Sequence, residues 1–215
     1  MKPVLADLGL RTLGDERSWA VTSADDKYRY VLARTWDNYF FDREAWLEHA
    51  PPRHLWCVCG INPSKARHDV DDHTVTKLVG FAKRHGAGGF ILVNALAYSE
   101  TDQDEVVRAH RNGIDVRGEH NEAVIRWARS RPALLGRNIA AWGKIPPKLR
   151  QLVARGVGEF CVGKTECFGV NADGTPRHPL MLGYDTPIVS LGDAREALRA
   201  GFKNGLRPLS TPPSL

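Results

Sequence analysis

The sequence predicts a three-layer α/β/α fold, with a central, mostly parallel sheet covered by helices and an N-terminal β-hairpin arm. Three observations predict it. Short apolar runs recur along the chain, and stretches of helical periodicity separate them. Near the N-terminus two strand-like runs flank a polar turn. Apolar strands alternating with amphipathic helices indicate a sheet buried on both faces.

The elements follow in order. Ser18–Thr22 and Tyr28–Arg34 are expected to pair around the polar stretch Ser23–Lys27. Pro51 and Pro52 then separate this arm, residues 1–54, from the main domain, residues 55–205. In that domain the runs at 55–60, 90–94, 138–142, 159–162 and 187–191 are expected strands. Helices are expected over 74–85, 102–111, 119–130, 146–155 and 193–202. The tail, 206–215, is rich in Pro and Ser and reads as disordered. There is no internal repeat.

Composition narrows the class. With 215 residues, 42% of them hydrophobic, the chain can bury a sizeable core and is not a mainly disordered protein. No apolar run approaches the roughly 18 residues of a membrane span, and the first residues lack a signal-peptide core. A cytoplasmic monomer without a membrane partner is therefore expected. Cys57 and Cys59 lie within an apolar run, and the spacing of Cys161 and Cys167 fits no common zinc or iron–sulfur site. The cysteines are read as reduced and structural, with no metal and no cofactor implied. The net charge is +5, and 21 of the 30 basic residues are arginine. Guanidinium forks suit phosphate, so an acidic partner such as DNA is compatible. No basic run of five occurs, so charge alone does not select one.

In sheets of this kind ligands bind beyond the carboxyl ends of the strands. The residues delivered there are Gly60-Ile61-Asn62-Pro63-Ser64, then Asn94-Ala95-Leu96, then Trp142-Gly143-Lys144, and late in the chain Arg177-His178-Pro179-Leu180. Asn62 is suited to orienting water or binding a carbonyl, or to starting a turn. Asp69, Asp71 and Asp72 precede a helix. One of them, most simply Asp72, caps it, and the remainder are available for base chemistry. The cluster permits Mg²⁺ but nothing requires it. His178 is a donor to developing negative charge or a structural histidine. Phosphate-loop, dinucleotide-binding and nucleophile-elbow motifs are absent, which removes most support for kinase, dehydrogenase and α/β-hydrolase functions.

In this order the segments resemble the uracil-DNA glycosylase superfamily, whose G-x-D/N-P, L-L-L-N-A, W-G and H-P-S motifs are met by Gly60-Ile61-Asn62-Pro63, Leu92-Val93-Asn94-Ala95, Ala141-Trp142-Gly143 and His178-Pro179-Leu180. The fuller pattern, with Asp71-Asp72-x-Thr74 and the upstream Tyr28-Arg29-Tyr30, is closer to a domain-of-unknown-function family of bacteria and phages. The likeness spans roughly residues 18–191. It implies a DNA base N-glycosylase that acts on a flipped-out, modified or unmodified pyrimidine. In that reading Asn62 holds water, Asn94 reads the base edge and His178 donates to the base carbonyl. Asp71 or Asp72 supports the glycosyl cation, because Asn62 stands where the fastest branch has aspartate. Gly60, Ile61, Pro63, Ser64, Lys144 and Arg177 are then expected to contact substrate. Ser64 replaces a bulky tyrosine of that branch, which implies room for a 5-substituted base. Leu180-Met181-Leu182 would form a wedge in the vacated stack. Phe81, Phe90 and Tyr98 are candidate stacking rings or core residues. Two other functions fit the same residues: a hydrolase or transferase of free nucleosides or nucleotides, and a non-catalytic nucleic-acid-binding module.

Overall fold

A computed structural model describes residues 8–15, 17–36, 55–64, 66–131 and 136–203. The predicted tail and the Pro51-Pro52 boundary lie outside them. Eight strands form one sheet: β1 (Arg11–Gly14), β2 (Ser18–Thr22), β3 (Arg29–Thr35), β4 (Leu55–Gly60), β5 (Gly89–Asn94), β6 (Arg137–Ala140), β7 (Glu166–Cys167) and β8 (Val189–Ser190). Their order is β1-β2-β3-β5-β4-β6-β7-β8. The four central strands run parallel, while β1, β2 and β3 on one side and β8 on the other are antiparallel to their neighbours. The hairpin is thus built into the sheet, with Leu32 opposite Leu92 in β5.

Among the described residues five helices accompany the sheet: α1 (His73–Arg84), α2 (Gln103–Arg111), α3 (Asn121–Arg129), α4 (Arg150–Phe160) and α5 (Leu191–Lys203). Alternation along the strands divides the core into two layers. Cys57, Cys59, Ile91 and Val93 face Val106 of α2, Val124 and Ile125 of α3, and Leu152 and Phe160 of α4. Trp56, Val58, Phe90 and Leu92 face Val75, Leu78, Phe81 and Ala82 of α1. This is the three-layer arrangement that the apolar runs predict.

The chain leaves β4 through α1 to reach β5 on one side, then crosses to β6 on the other. The end of β4 is therefore the point where strand order reverses, the usual location of a ligand crevice in open α/β sheets. The ends of α1 and α2 follow from local chemistry. Asp72 and Asp102 cap α1 and α2 by accepting from the backbone N–H groups of Val75 and Asp104. Basic residues, Lys83 and Arg84 in α1, occupy the last turn where the helix dipole favours them.

Two expectations are corrected. Glu159–Val162 is not a strand. Its first two residues end α4, whose buried face Leu152, Val153, Gly156 and Phe160 has helical spacing, and Val162 is exposed. The strand that was expected there is the two-residue β7, further on. The strand expected over 138–142 begins at Arg137 and ends at Ala140, two residues early. The expected helix from 146 opens with a 3-10 turn, Pro147–Leu149, before α4. β1 carries no run of apolar residues and was not expected.

Candidate functional site

A cavity of about 140 Å³ opens at the carboxyl ends of β4, β5 and β6, on the side of the sheet that α1 covers. Val58, Leu78, Leu92 and Ala141 form its apolar part. Asn62, Ser64, Asn94, Gln103, Arg29 and His178 bring polar groups to it. Its size matters. A cavity of about 150 Å³ accommodates a single benzene ring, so this one suits a single six-membered heterocycle.

Each polar group is held by the fold. Asn94 ends β5 with its backbone paired opposite Gly60 of β4, and its side chain is 4% exposed. A Cβ built on Gly60 would lie 2.7 Å from Asn94 Oδ1, so only glycine lets the amide seat there. Asn94 Nδ2 is buried without a hydrogen-bond partner. Such a donor is open to an acceptor on a ligand. Asn121 Nδ2, from α3, donates to the carbonyls of Asn94 and Ala95 at 3.0 and 3.2 Å and fixes this strand end from behind.

Asn62 follows β4. Its Nδ2 donates to the Glu100 carbonyl, tying the loop after β4 to the loop after β5. That leaves Oδ1 as the acceptor for a ligand or water.

His178 stands before a 3-10 turn, Pro179–Met181, and its Nδ1 accepts from Leu180 N at 3.3 Å. With Nδ1 accepting, the proton of the neutral ring sits on Nε2, which is then a donor. Burial lowers the His178 pKa below its usual value, and the charge of Asp72 only partly opposes this. The ring is thus a neutral donor at neutral pH. Gly143, at φ +71, passes 3.0 Å from the His178 Cβ when a Cβ is built on it, so the loop after β6 can approach only as glycine.

The aspartates part company. Asp72 Oδ1 accepts from Val75 N at 2.8 Å, and Oδ2 accepts from Ser64 Oγ. Its carboxylate is committed to the helix cap and to Ser64, beside the cavity. Asp71 turns the other way, to Arg34, whose Nε and Nη2 lie 2.7 and 2.6 Å from its Oδ1. It does not line the cavity.

Of the remaining residues singled out in the sequence, Gly60, Ile61 and Ser64 line the cavity, whereas Pro63, Lys144 and Arg177 do not. Lys144 is exposed. Arg177 Nε donates to the Val170 carbonyl at 3.3 Å. Because β6 ends at Ala140, the residues that it delivers are Ala141 and Trp142, not Lys144. Trp142 is the aromatic residue lining the cavity. Phe81 and Phe90 are fully buried in the core, and Tyr98 stands edge-on to Tyr28, 5.9 Å between centroids. Leu180 and Met181, beside His178, are 40% and 89% exposed.

Sequence reasoning gave no site role to Gln103, nor to Thr74 and, above all, Arg29, although the last two stand in the motif pattern. A charged residue in a strand normally signals a solvent-facing position, but all seven residues of β3 are buried. Among the described residues no group of three or more His, Cys, Asp or Glu side chains is placed to hold a metal ion. No helix among them is long and apolar enough to cross a membrane.

No curated protein and no solved structure is detectably similar to the chain. Residues 29–180, which contain β3 to the turn after His178 and thus every polar group of the cavity, match a family, and the chain belongs to it: the family described as protein of unknown function, DUF1643.

Proposed function

We propose that the cavity binds a pyrimidine-sized base and that the protein hydrolyses the N-glycosidic bond attached to it. The observation that carries this reading is the buried, unpartnered Asn94 Nδ2 in a ring-sized cavity that also receives the neutral His178. A pyrimidine edge offers a carbonyl to Asn94, and a second carbonyl is the atom on which charge collects as the bond to the sugar breaks. The bonding pair leaves with the base nitrogen, and His178 Nε2–H stabilises the resulting anion without surrendering its proton. A water molecule accepted by Asn62 Oδ1 adds its oxygen to the sugar carbon and releases a proton to solvent. Asp72 lies close enough to act on His178 and Arg29 through space, so its negative charge also favours the positive sugar carbon.

The resemblance to the uracil-DNA glycosylase superfamily supports the same chemistry. Exposed Leu180 and Met181 next to His178 are placed to fill a base stack when a nucleotide turns out of it. Ser64 lines the cavity as a small residue, which favours bases carrying a 5-substituent.

The test is mass spectrometry of bases released from DNA containing uracil, mismatched thymine or hypermodified pyrimidines, and from the free nucleosides. Release that is slowed in Asn94→Ala and in His178→Ala supports the reading. Absence of release from every substrate by the folded wild-type protein overturns it.

A further inference from the structure

Arg29 and Ser64 line not only the ring-sized cavity but also a second one of about 380 Å³, bordered by Thr22, Ala66, His68 and Ser99. That volume is within the 300–1,000 Å³ range of small-molecule sites. Arg29 is 5% exposed and reaches both cavities. Its Nη1 donates to the Ala66 carbonyl, with the Ser64 carbonyl 3.5 Å away, while Nε is buried without a partner. No carboxylate of the described residues lies within 4.0 Å of it. Burial lowers its pKa to about 10, partly opposed by the charge of Asp72, so the group is charged at neutral pH. A buried cation with a spare N–H and no counter-ion is unfavourable unless a ligand supplies the anion. The guanidinium fork suits phosphate oxygens in particular. The carboxylates nearby are otherwise engaged. Asp26 and Asp69 pair with Arg11 and Arg67 at 3.2 and 3.7 Å, and Asp72 accepts from Ser64 and Val75.

We propose that Arg29 is a phosphate-binding residue, holding an oxygen of the nucleotide whose base enters the smaller cavity. The proposal rests on the base-binding reading and extends it: the substrate is a nucleotide, not a nucleoside. A free mononucleotide and a strand phosphodiester present the same chemistry to Arg29.

The experiment follows the Arg29 Nε–Hε resonance in protein labelled with ¹⁵N-arginine, assigned by its loss in Arg29→Lys. The probes are deoxyuridine, deoxyuridine 5′-monophosphate, a single-stranded trinucleotide with central uracil, and inorganic phosphate at constant ionic strength. The monophosphate is expected to bind about tenfold or more tightly than deoxyuridine and to shift the resonance. In Arg29→Gln that preference is expected to shrink below about twofold, and where this variant does not fold the wild-type resonance decides. Tighter binding of the trinucleotide than of the monophosphate assigns the phosphate to a strand, and the reverse order assigns it to a free nucleotide. A resonance that no phosphate-bearing probe moves overturns the proposal. A resonance that inorganic phosphate moves, in a protein that never binds deoxyuridine, leaves the anion site standing and removes the base-binding reading instead.

Discussion

Two buried asparagines lie side by side at the end of β5, and truncating them is expected to change stability in opposite directions. Asn94 Nδ2 has no partner, whereas Asn121 Nδ2 serves two carbonyls. A buried, unsatisfied donor costs about 1–3 kcal/mol in the folded state. Asn94→Ala removes that penalty. It also removes packing, but the deleted atoms border an existing cavity and leave no new closed void, so the loss is about 1 kcal/mol. The net change is between zero and a gain of about 1–2 kcal/mol. At about 2–4 °C per kcal/mol for a chain of this size, Tm stays constant or rises by a few degrees. Asn121→Ala instead strips a donor from two carbonyls; its own Oδ1 is buried without a partner, which offsets part of the loss, and Tm is expected to fall by about 2–6 °C. Base release should respond the other way. Asn94 holds the carbonyl on which charge does not collect, so its hydrogen bond contributes about 0.5–1.5 kcal/mol, and Asn94→Ala should slow release by about 2- to 10-fold. Calorimetric scans and single-turnover release assays on both variants measure this. A fall in Tm of more than about 6 °C for Asn94→Ala, with release unchanged, would show the amide to be structural and refute the reasoning.

Three further outcomes are expected. Asp72→Ala should lose about 0.5–2 kcal/mol through the α1 cap, whereas Asp72→Asn can still accept from Val75 N and should lose less; equal losses by thermal denaturation would show that capping is not what Asp72 contributes. Asp71→Asn strips the buried Arg34 of its anion. Because the Asp71 side chain is 38% exposed, solvent screening limits the loss to about 1–2 kcal/mol, and release by the folded variant should change less than about threefold. A large drop in release would return Asp71 to the reaction. Lowered by burial, the His178 pKa makes the unfolded chain bind more protons than the native one in mildly acidic solution. Stability due to this group is therefore complete above the ordinary histidine value near 6.5 and declines as pH falls below it. His178→Gln should flatten that part of the stability profile, leaving the contribution of His85, whose pKa burial also lowers. Release should fall over the same acidic range, since protonation of Nδ1 ends its acceptance from Leu180 N. An acid limb that is unchanged in the variant would refute the assignment.

The strands that position the site were legible because β4 and β5 are apolar on both faces, a pattern that only burial between two helix layers satisfies. The positions of Asn62 and Asn94 followed from the same pattern, since each lies at or just past the end of such a run. The third strand end was misplaced by two residues. Ala141 and Trp142 are as apolar as the strand itself, and nothing local distinguishes cavity wall from strand interior. The error moved attention from Trp142 to the exposed Lys144. Glu159–Val162 reads as a short strand in sequence, yet Glu159 and Phe160 end α4, whose face from Leu152 to Phe160 is continuous in three dimensions. Arg29 had a usable signal: it and Arg34 sit in a run otherwise composed of Tyr, Val, Leu and Ala, and β3 lies between β2 and β5 with no solvent-facing side. Two arginines in an interior strand require partners. Arg34 finds Asp71; among the described residues Arg29 finds only carbonyls.

That asymmetry bears on the chemistry. If the cavity were only a remnant of folding, its polar atoms would be expected to satisfy one another, as Asp72, Ser64 and Val75 N do, because an unmatched buried group is unfavourable and small shifts usually relieve it. Asn94 Nδ2 and Arg29 Nε are unmatched in the same cavity, and they come from the adjacent, antiparallel strands β5 and β3. Both are donors. Neighbouring donors cannot pair with each other, so whatever satisfies them must bring acceptors, and the neutral His178 offers a third donor through Nε2. A ligand with carbonyl oxygens on a ring and an anionic group beside it matches that set, whereas an amine or a metal cation would meet donors and positive charge. The unmatched donors therefore favour an acceptor-rich, anionic ligand, and the proposed pyrimidine nucleotide is a ligand of that kind.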